Sequence, residues 1–171
     1  MRWLLLLILF SSCTKVIQRP SEDITYKGDR LLYKGQPFSG IVKEVFALAE
    51  VTRETEYKNG IKDGVQKEIY ANGKTASVGT FKNENKDGTF EGWYPSGKRR
   101  FHYEYKNGQY HGESWEWYES GPVYLFAKFS EGKAIGKKVW REDGKIFLNH
   151  VFPGQNVFGL PGAKLCYQVR K

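Results

Sequence analysis

YKNGIKDGVQKEIYANGK, residues 57–74, is followed 24 positions later by FKNENKDGTFEGWYPSGK, residues 81–98. The two stretches share an aromatic, a Lys-Asn pair, a Lys-Asp-Gly triplet, a second aromatic and a terminal Gly-Lys. The same frame extends both ways along the chain. Gly40, Gly64, Gly88, Gly112 and Gly136 are 24 residues apart, and Tyr33, Tyr57, Phe81, Tyr105 and Phe129 each stand seven residues before one of them. Tyr70, Tyr94 and Tyr118 keep the period, as do Gly73, Gly97 and Gly121. Several independent positions repeating together mark a tandem array of one supersecondary unit.

Each unit reads as two strands and two turns. Asn-Gly after an aromatic supplies the positive φ of a tight hairpin turn. Segments such as TFEGWY and ESWEWY are rich in the aromatic residues that fit a pleated sheet. ANGK and PSGK close the unit with a second turn. The expected fold is all-β: an elongated antiparallel meander of about five tandem 24-residue units forming a single twisted sheet. Stacked units bury side chains against their neighbours and leave the terminal units as caps. The first unit carries Leu48 and Ala49 where the second has Asn72 and Gly73, so its second turn is lost or altered. The fifth unit is one residue short between Gly136 and Gly144.

Four segments follow. Residues 1–12 read as a signal peptide, 13–30 as a lipidated N-terminus and tether, 31–147 as the repeat domain, and 148–171 as a C-terminal cap or tail. MRWLLLLILFSSC has one early positive charge and an apolar run too short to span a bilayer. Phe10-Ser11-Ser12-Cys13 resembles a bacterial lipobox, which implies lipidation at Cys13. Acyl chains anchor a protein by burying methylenes, each worth roughly 0.8 kcal/mol. Thr14 is not the aspartate that retains some lipoproteins at the inner membrane, which favours the outer one. Cys166 is the one other cysteine, so a disulfide framework is excluded once Cys13 carries lipid.

The repeats resemble the MORN-repeat variant of bacterial proteins. Its pattern is an aromatic with Lys-Asn-Gly, then Asp-Gly, an aromatic pair and Asn-Gly-Lys. They are also similar to the YwqK-type repeat proteins labelled as antitoxins. Departures are Glu84 for a turn glycine, Pro122 for the lysine after Gly121, and the altered first unit. The resemblance implies a noncatalytic scaffold for protein partners or membranes and brings no catalytic residues with it.

The chemistry of the residues agrees with that class. Formal charge is +8, which favours anionic partners such as lipid headgroups or acidic glycans. Basic and acidic residues interleave without a long cationic run, so nucleic acid is not expected. His102, His111 and His150 have no metal-ligand spacing, and no phosphate loop or nucleophile motif is present. No enzyme activity, metal or cofactor is expected. Glu113 and Glu116 fall three apart, on opposite faces of a strand. Candidate binding residues are Trp93, Trp115 and Trp117, with Arg99 and Arg100 close by. Trp and Arg are enriched where partners bind most tightly. Alternation places Trp115 and Trp117 on one face, with Ile69 and Trp93 as the repeat equivalents of Trp117, and Glu116 and Tyr118 on the other. An envelope protein is the expected partner. An anionic lipid or cell-wall glycan is the alternative.

Overall fold

The computed structural model describes residues 14–152. Its strands are β1 Val16–Arg19, β2 Ile24–Lys27, β3 Arg30–Tyr33, β4 Gln36–Pro37, β5 Gly40–Phe46, β6 Val51–Lys58, β7 Ile61–Tyr70 and β8 Thr75–Lys82. The second half adds β9 Asn85–Lys86, β10 Gly88–Trp93, β11 Arg99–Lys106, β12 Gln109–Trp117, β13 Val123–Ser130, β14 Lys133–Trp140 and β15 Ile146–Val151. A 12-stranded sheet runs β1-β5-β6-β7-β8-β10-β11-β12-β13-β14-β15, with β9 paired to β8. From β5 onward every pairing is antiparallel, as a meander requires.

Two turn types alternate. Lys34-Gly35, Asn59-Gly60, Asn83-Glu84, Asn107-Gly108 and Glu131-Gly132 all have positive φ at both positions. This is the two-residue hairpin turn whose twist matches that of the strands. The other turn has one geometry in four copies: the N–H groups of Tyr70, Tyr94, Tyr118 and Arg141 donate to the carbonyls of Lys74, Lys98, Pro122 and Lys145. Gly73, Gly97, Gly121 and Gly144 close these turns in the left-handed region, donating back to the first residue. This is the three-residue loop with a glycine bulge.

The Lys-Asp-Gly triplet has three separate jobs. Lys62 lies over the Phe81 ring, and Lys86 over Phe90 and Tyr105. Asp63 and Asp87 accept the N–H groups of Asn83 and Asn107, which open the next unit's tight turn. Gly64 of the first triplet, like Gly112 of the Tyr-His-Gly copy, sits against a glutamate side chain, Glu56 and Glu104 respectively, which leaves no room for a Cβ. Those carboxylates accept the N–H groups of Val65 and Glu113 beside the bulges. Units are also stitched by backbone: Gly60, Glu84, Gly108 and Gly132 donate to the carbonyls of Phe38, Lys62, Lys86 and Tyr110 in the preceding unit.

Three details add to the expected meander. Residues 14–30, expected as a tether with a first strand around Ile24 to Tyr26, contain β1 and β2. β1 pairs in parallel with β5, and Ile17 is buried with Leu31, Phe38 and Val42. The expected all-β meander forms the long sheet, and beside it β2-β3-β4 add a separate three-stranded sheet. Leu31 and Phe38 bury it against Val42 and Tyr57, so it covers the first units on one side as an N-terminal cap. The strand pattern also runs beyond residue 147, since β15 reaches Val151 and pairs with β14. In the first unit a 3-10 turn, Ala47–Ala49, replaces the glycine loop, with Glu50 left-handed at its end. The C-terminal segment expected from residue 148 lies outside the described residues from 153 onward.

Candidate functional site

Direct cross-strand partners share a face. The register chain Lys67–Val78–Glu91–His102–Trp115–Phe126–Lys138 therefore defines one face of the long sheet. The opposite face carries Gln66, Gly79, Phe90, Tyr103, Ser114 and Ala127. That second face holds the aromatic core: Phe81, Phe90, Tyr105, Tyr110 and Phe129 touch in sequence at ring distances of 5.6, 5.2, 4.5 and 4.9 Å.

The tryptophans lie on the first face. Trp115 and Trp117 stack at 6.3 Å, and Trp115 packs on buried Phe126 at 4.2 Å. Trp93 and Trp117 occupy equivalent positions, each just past a register shift at the end of its strand. Trp140 continues the row at the equivalent shift in β14. It was not among the residues expected from sequence, because the short fifth unit displaces it by one position from the period. With that deletion allowed for, the signal is present.

Two hollows open beside this row. One, of about 590 Å3, is lined by Lys67, Lys74, Thr75, Val78 and Trp93 between the turn glycines Gly73 and Gly97. The other, of about 360 Å3, is lined by Trp115, Pro122, Val123, Phe126 and Trp140 beside Gly144. Position for position they are the same site, two units apart. The copy between them is assigned by the repeat to Glu91, Lys98, Arg99, His102 and Trp117. There the His102 Nδ1 lies 3.4 Å from a Glu91 carboxylate oxygen.

Arg99 and Arg100 are not brought together. Arg99 is the register partner of Trp93 and shares its face. Arg100 is the extra residue of the bulge and turns to the other side. Its guanidinium lies 5.9 Å from the Tyr94 ring, in a hollow with Phe101, Tyr103 and Glu116. The bulge residues of the next two units behave alike: Tyr124 packs on Tyr118, and Phe147 lies under Arg141.

Tyr70, Tyr94 and Tyr118 have a role that sequence reasoning missed. Their hydroxyls donate to the carbonyls of Trp93, Trp117 and Trp140 at 2.8, 2.7 and 2.9 Å. Each tyrosine thus fixes the strand end that carries the next unit's tryptophan. Their regular spacing was visible in the sequence, but a carbonyl partner has no sequence signature.

Several other polar groups are engaged in structural contacts. Glu113 accepts the Trp115 indole N–H, and Glu116 accepts the Tyr103 hydroxyl. His102 faces Trp115 across the β11–β12 pair, so it does not meet His111 across the turn between them. A cavity of about 510 Å3 beneath the small sheet contains Arg19 and Arg53, bonded to Glu44 and Glu68 respectively. Burial, then the charge of Tyr26, pushes the Tyr57 hydroxyl beside it well above the usual tyrosine range. Among the described residues no three His, Cys, Asp or Glu side chains cluster as a metal site would need. Cys13 lies outside the described residues. The sequence matches no protein-family profile and no curated protein.

Proposed function

We propose that the protein is a noncatalytic envelope lipoprotein, anchored through Cys13, that presents a MORN-like β-repeat scaffold to a protein partner. The observation that carries this reading is the Trp93–Trp117–Trp140 row, held at unit spacing on the face opposite the aromatic core. Partly exposed Trp beside exposed Arg is the composition of a binding hot spot. A core needs no such row on its second face. Two experiments test the reading. Acyl labelling of the native protein is lost in Cys13→Ser, and persistence of label would refute the anchor. Chemical crosslinking of the native protein recovers one reproducible neighbour, and its yield falls in the exposed-face variant Lys74→Glu/Arg99→Glu. A yield indifferent to that change would refute the assignment of the surface.

A second reading is supported by the same cations: a peripheral binder of anionic headgroups or acidic glycans. Lys67, Lys74, Lys98 and Arg99 are exposed on this face. Liposomes of graded anionic content separate the two readings when offered to protein lacking residues 1–13. Salt-sensitive binding favours the second, and absence of binding favours the first.

A further inference from the structure

Across the sheet the Trp93 hollow carries Lys67 and Lys74, the next copy carries Lys98 and Arg99, and the hollow between Trp115 and Trp140 is lined by apolar side chains. We infer that this face takes one extended acidic segment of a partner protein, with an apolar side chain seated in each hollow. The inference rests on the protein-partner reading above and adds the chemistry of the partner.

The spacing follows from the register. Lys67, Val78 and Trp93 of the first hollow lie on β7, β8 and β10, and Trp115, Phe126 and Trp140 of the second on β12, β13 and β14. The two sites are four strand steps apart in the sheet order. At about 4.8 Å per step that is about 19 Å. An extended chain rises about 3.3 Å per residue, so about six residues separate the two anchors. Positions i and i+6 of an extended segment point the same way, so both anchors can face the sheet.

The middle copy selects the charge of the intervening residues. Lys98 and Arg99 are exposed there, and Lys74 and Lys67 flank the first hollow. Among the described residues none of these four joins an ion pair. Lys43, on the same face further back, is paired with Glu54 at 3.2 Å. Lys67 has Glu54 as its register partner, but among the described residues Lys74, Lys98 and Arg99 have no acid at ion-pair distance, and they match acidic residues at i+2 and i+4 of the bound segment. A lipid chain fits less well, because the Glu91–His102 pair interrupts the apolar surface between the hollows. A regular glycan would meet three equivalent platforms, and the middle copy is chemically different from its neighbours.

The test places a photo-crosslinking amino acid in the full chain at Thr75, at Val123 or, as a control, at Lys137 on the opposite face, in the cells that make the protein. The expected result is adducts from Thr75 and Val123 on a single polypeptide. They should fall on apolar residues about six apart with Asp or Glu between, and yield should drop about tenfold in Lys98→Glu/Arg99→Glu. Adducts on lipid, glycan, a second copy, residues 153–171 of the chain itself, or two unrelated polypeptides would overturn the inference. So would a segment without acids. Adducts from Lys137 alone would overturn it while leaving a protein partner standing. Absence of protein adducts at all three positions would remove the partner reading as well.

Discussion

The Tyr94 hydroxyl donates to the carbonyl oxygen of Trp117 at 2.7 Å, bridging one repeat unit to the next. Tyr70 and Tyr118 make the same bond one unit earlier and one unit later. Tyr94→Phe removes only the hydroxyl and leaves a half-buried carbonyl without that donor. The expected loss is about 1 kcal/mol, seen as a fall of about 3 °C in melting temperature. The three sites are in different interfaces, so the triple Phe variant should lose roughly the sum of the single losses, as nearest-neighbour stacking predicts. A triple variant as stable as wild type would show that the bonds carry no stability.

Gly92 and Gly79 face the rings of their cross-strand neighbours, Phe101 and Phe90, which lie directly over the glycine Cα and occupy the space of a Cβ. Neither glycine needs positive φ. Their value lies in letting a ring cover the strand, an arrangement also used to stabilise glycine in designed sheets. Gly92→Ala is therefore expected to cost about 1–3 kcal/mol through overpacking, although alanine is otherwise the better residue in a strand. Gly73→Ala makes the contrast, because open space surrounds Gly73 and its cost arises from φ +81 alone. Urea titrations of both variants check the expectation. If Gly92→Ala matched wild type, the ring would have to move freely.

How far these features could be read in advance depends on whether they repeat. The tight turn at Asn59-Gly60, the glycine loop at Gly97 and the shared face of Trp115 and Trp117 all follow from the period and from strand alternation. The position of β1 does not. Val-Ile-Gln-Arg has no copy elsewhere, and Ile17 is buried only through a parallel pairing with β5, far away in sequence. Arg99 and Arg100 show a second limit. Alternation alone says that neighbours point apart, but the bulge decides which of them joins Trp93, and a one-residue slip exchanges the faces. Trp140 was hidden by a single missing residue in the fifth unit.

Asp87 accepts the N–H of Asn107 at 3.2 Å, and Asp63 does the same for Asn83. Ser39 fills the place in the first unit, accepting from Asn59. The fourth unit has His111 there, and its Nδ1 is buried without a hydrogen-bond partner. Asp87→Ala should cost about 1 kcal/mol. His111→Asp removes a buried unsatisfied nitrogen and restores the acceptor used in the preceding units. It is expected to raise the melting temperature by a few degrees. Differential scanning calorimetry of the two variants reads opposite signs. A destabilised His111→Asp would mean that the imidazole packs in a way the carboxylate cannot replace.

Tyr103 and Tyr105 lie in the aromatic core, and burial pushes both hydroxyls well above the usual tyrosine range. The bond that Tyr103 donates to Glu116 raises it further. Tyr57 is raised in the same direction beneath the small sheet. The sign of the linkage is fixed by these shifts. A folded-state pKa above the unfolded value of 10.0 means that the unfolded chain releases protons first. The contribution of these tyrosines is complete below pH 10 and is lost as pH rises from there toward the folded values. Stability should therefore fall steadily above pH 10, with tyrosinate absorbance appearing together with unfolding for these three rings. Tyr103→Phe lowers stability at neutral pH, since the Glu116 bond is gone, and flattens the alkaline slope. Urea midpoints measured across neutral and alkaline pH, for wild type and Tyr103→Phe, check both effects. An unchanged slope in the variant would mean that Tyr103 ionises as easily folded as unfolded.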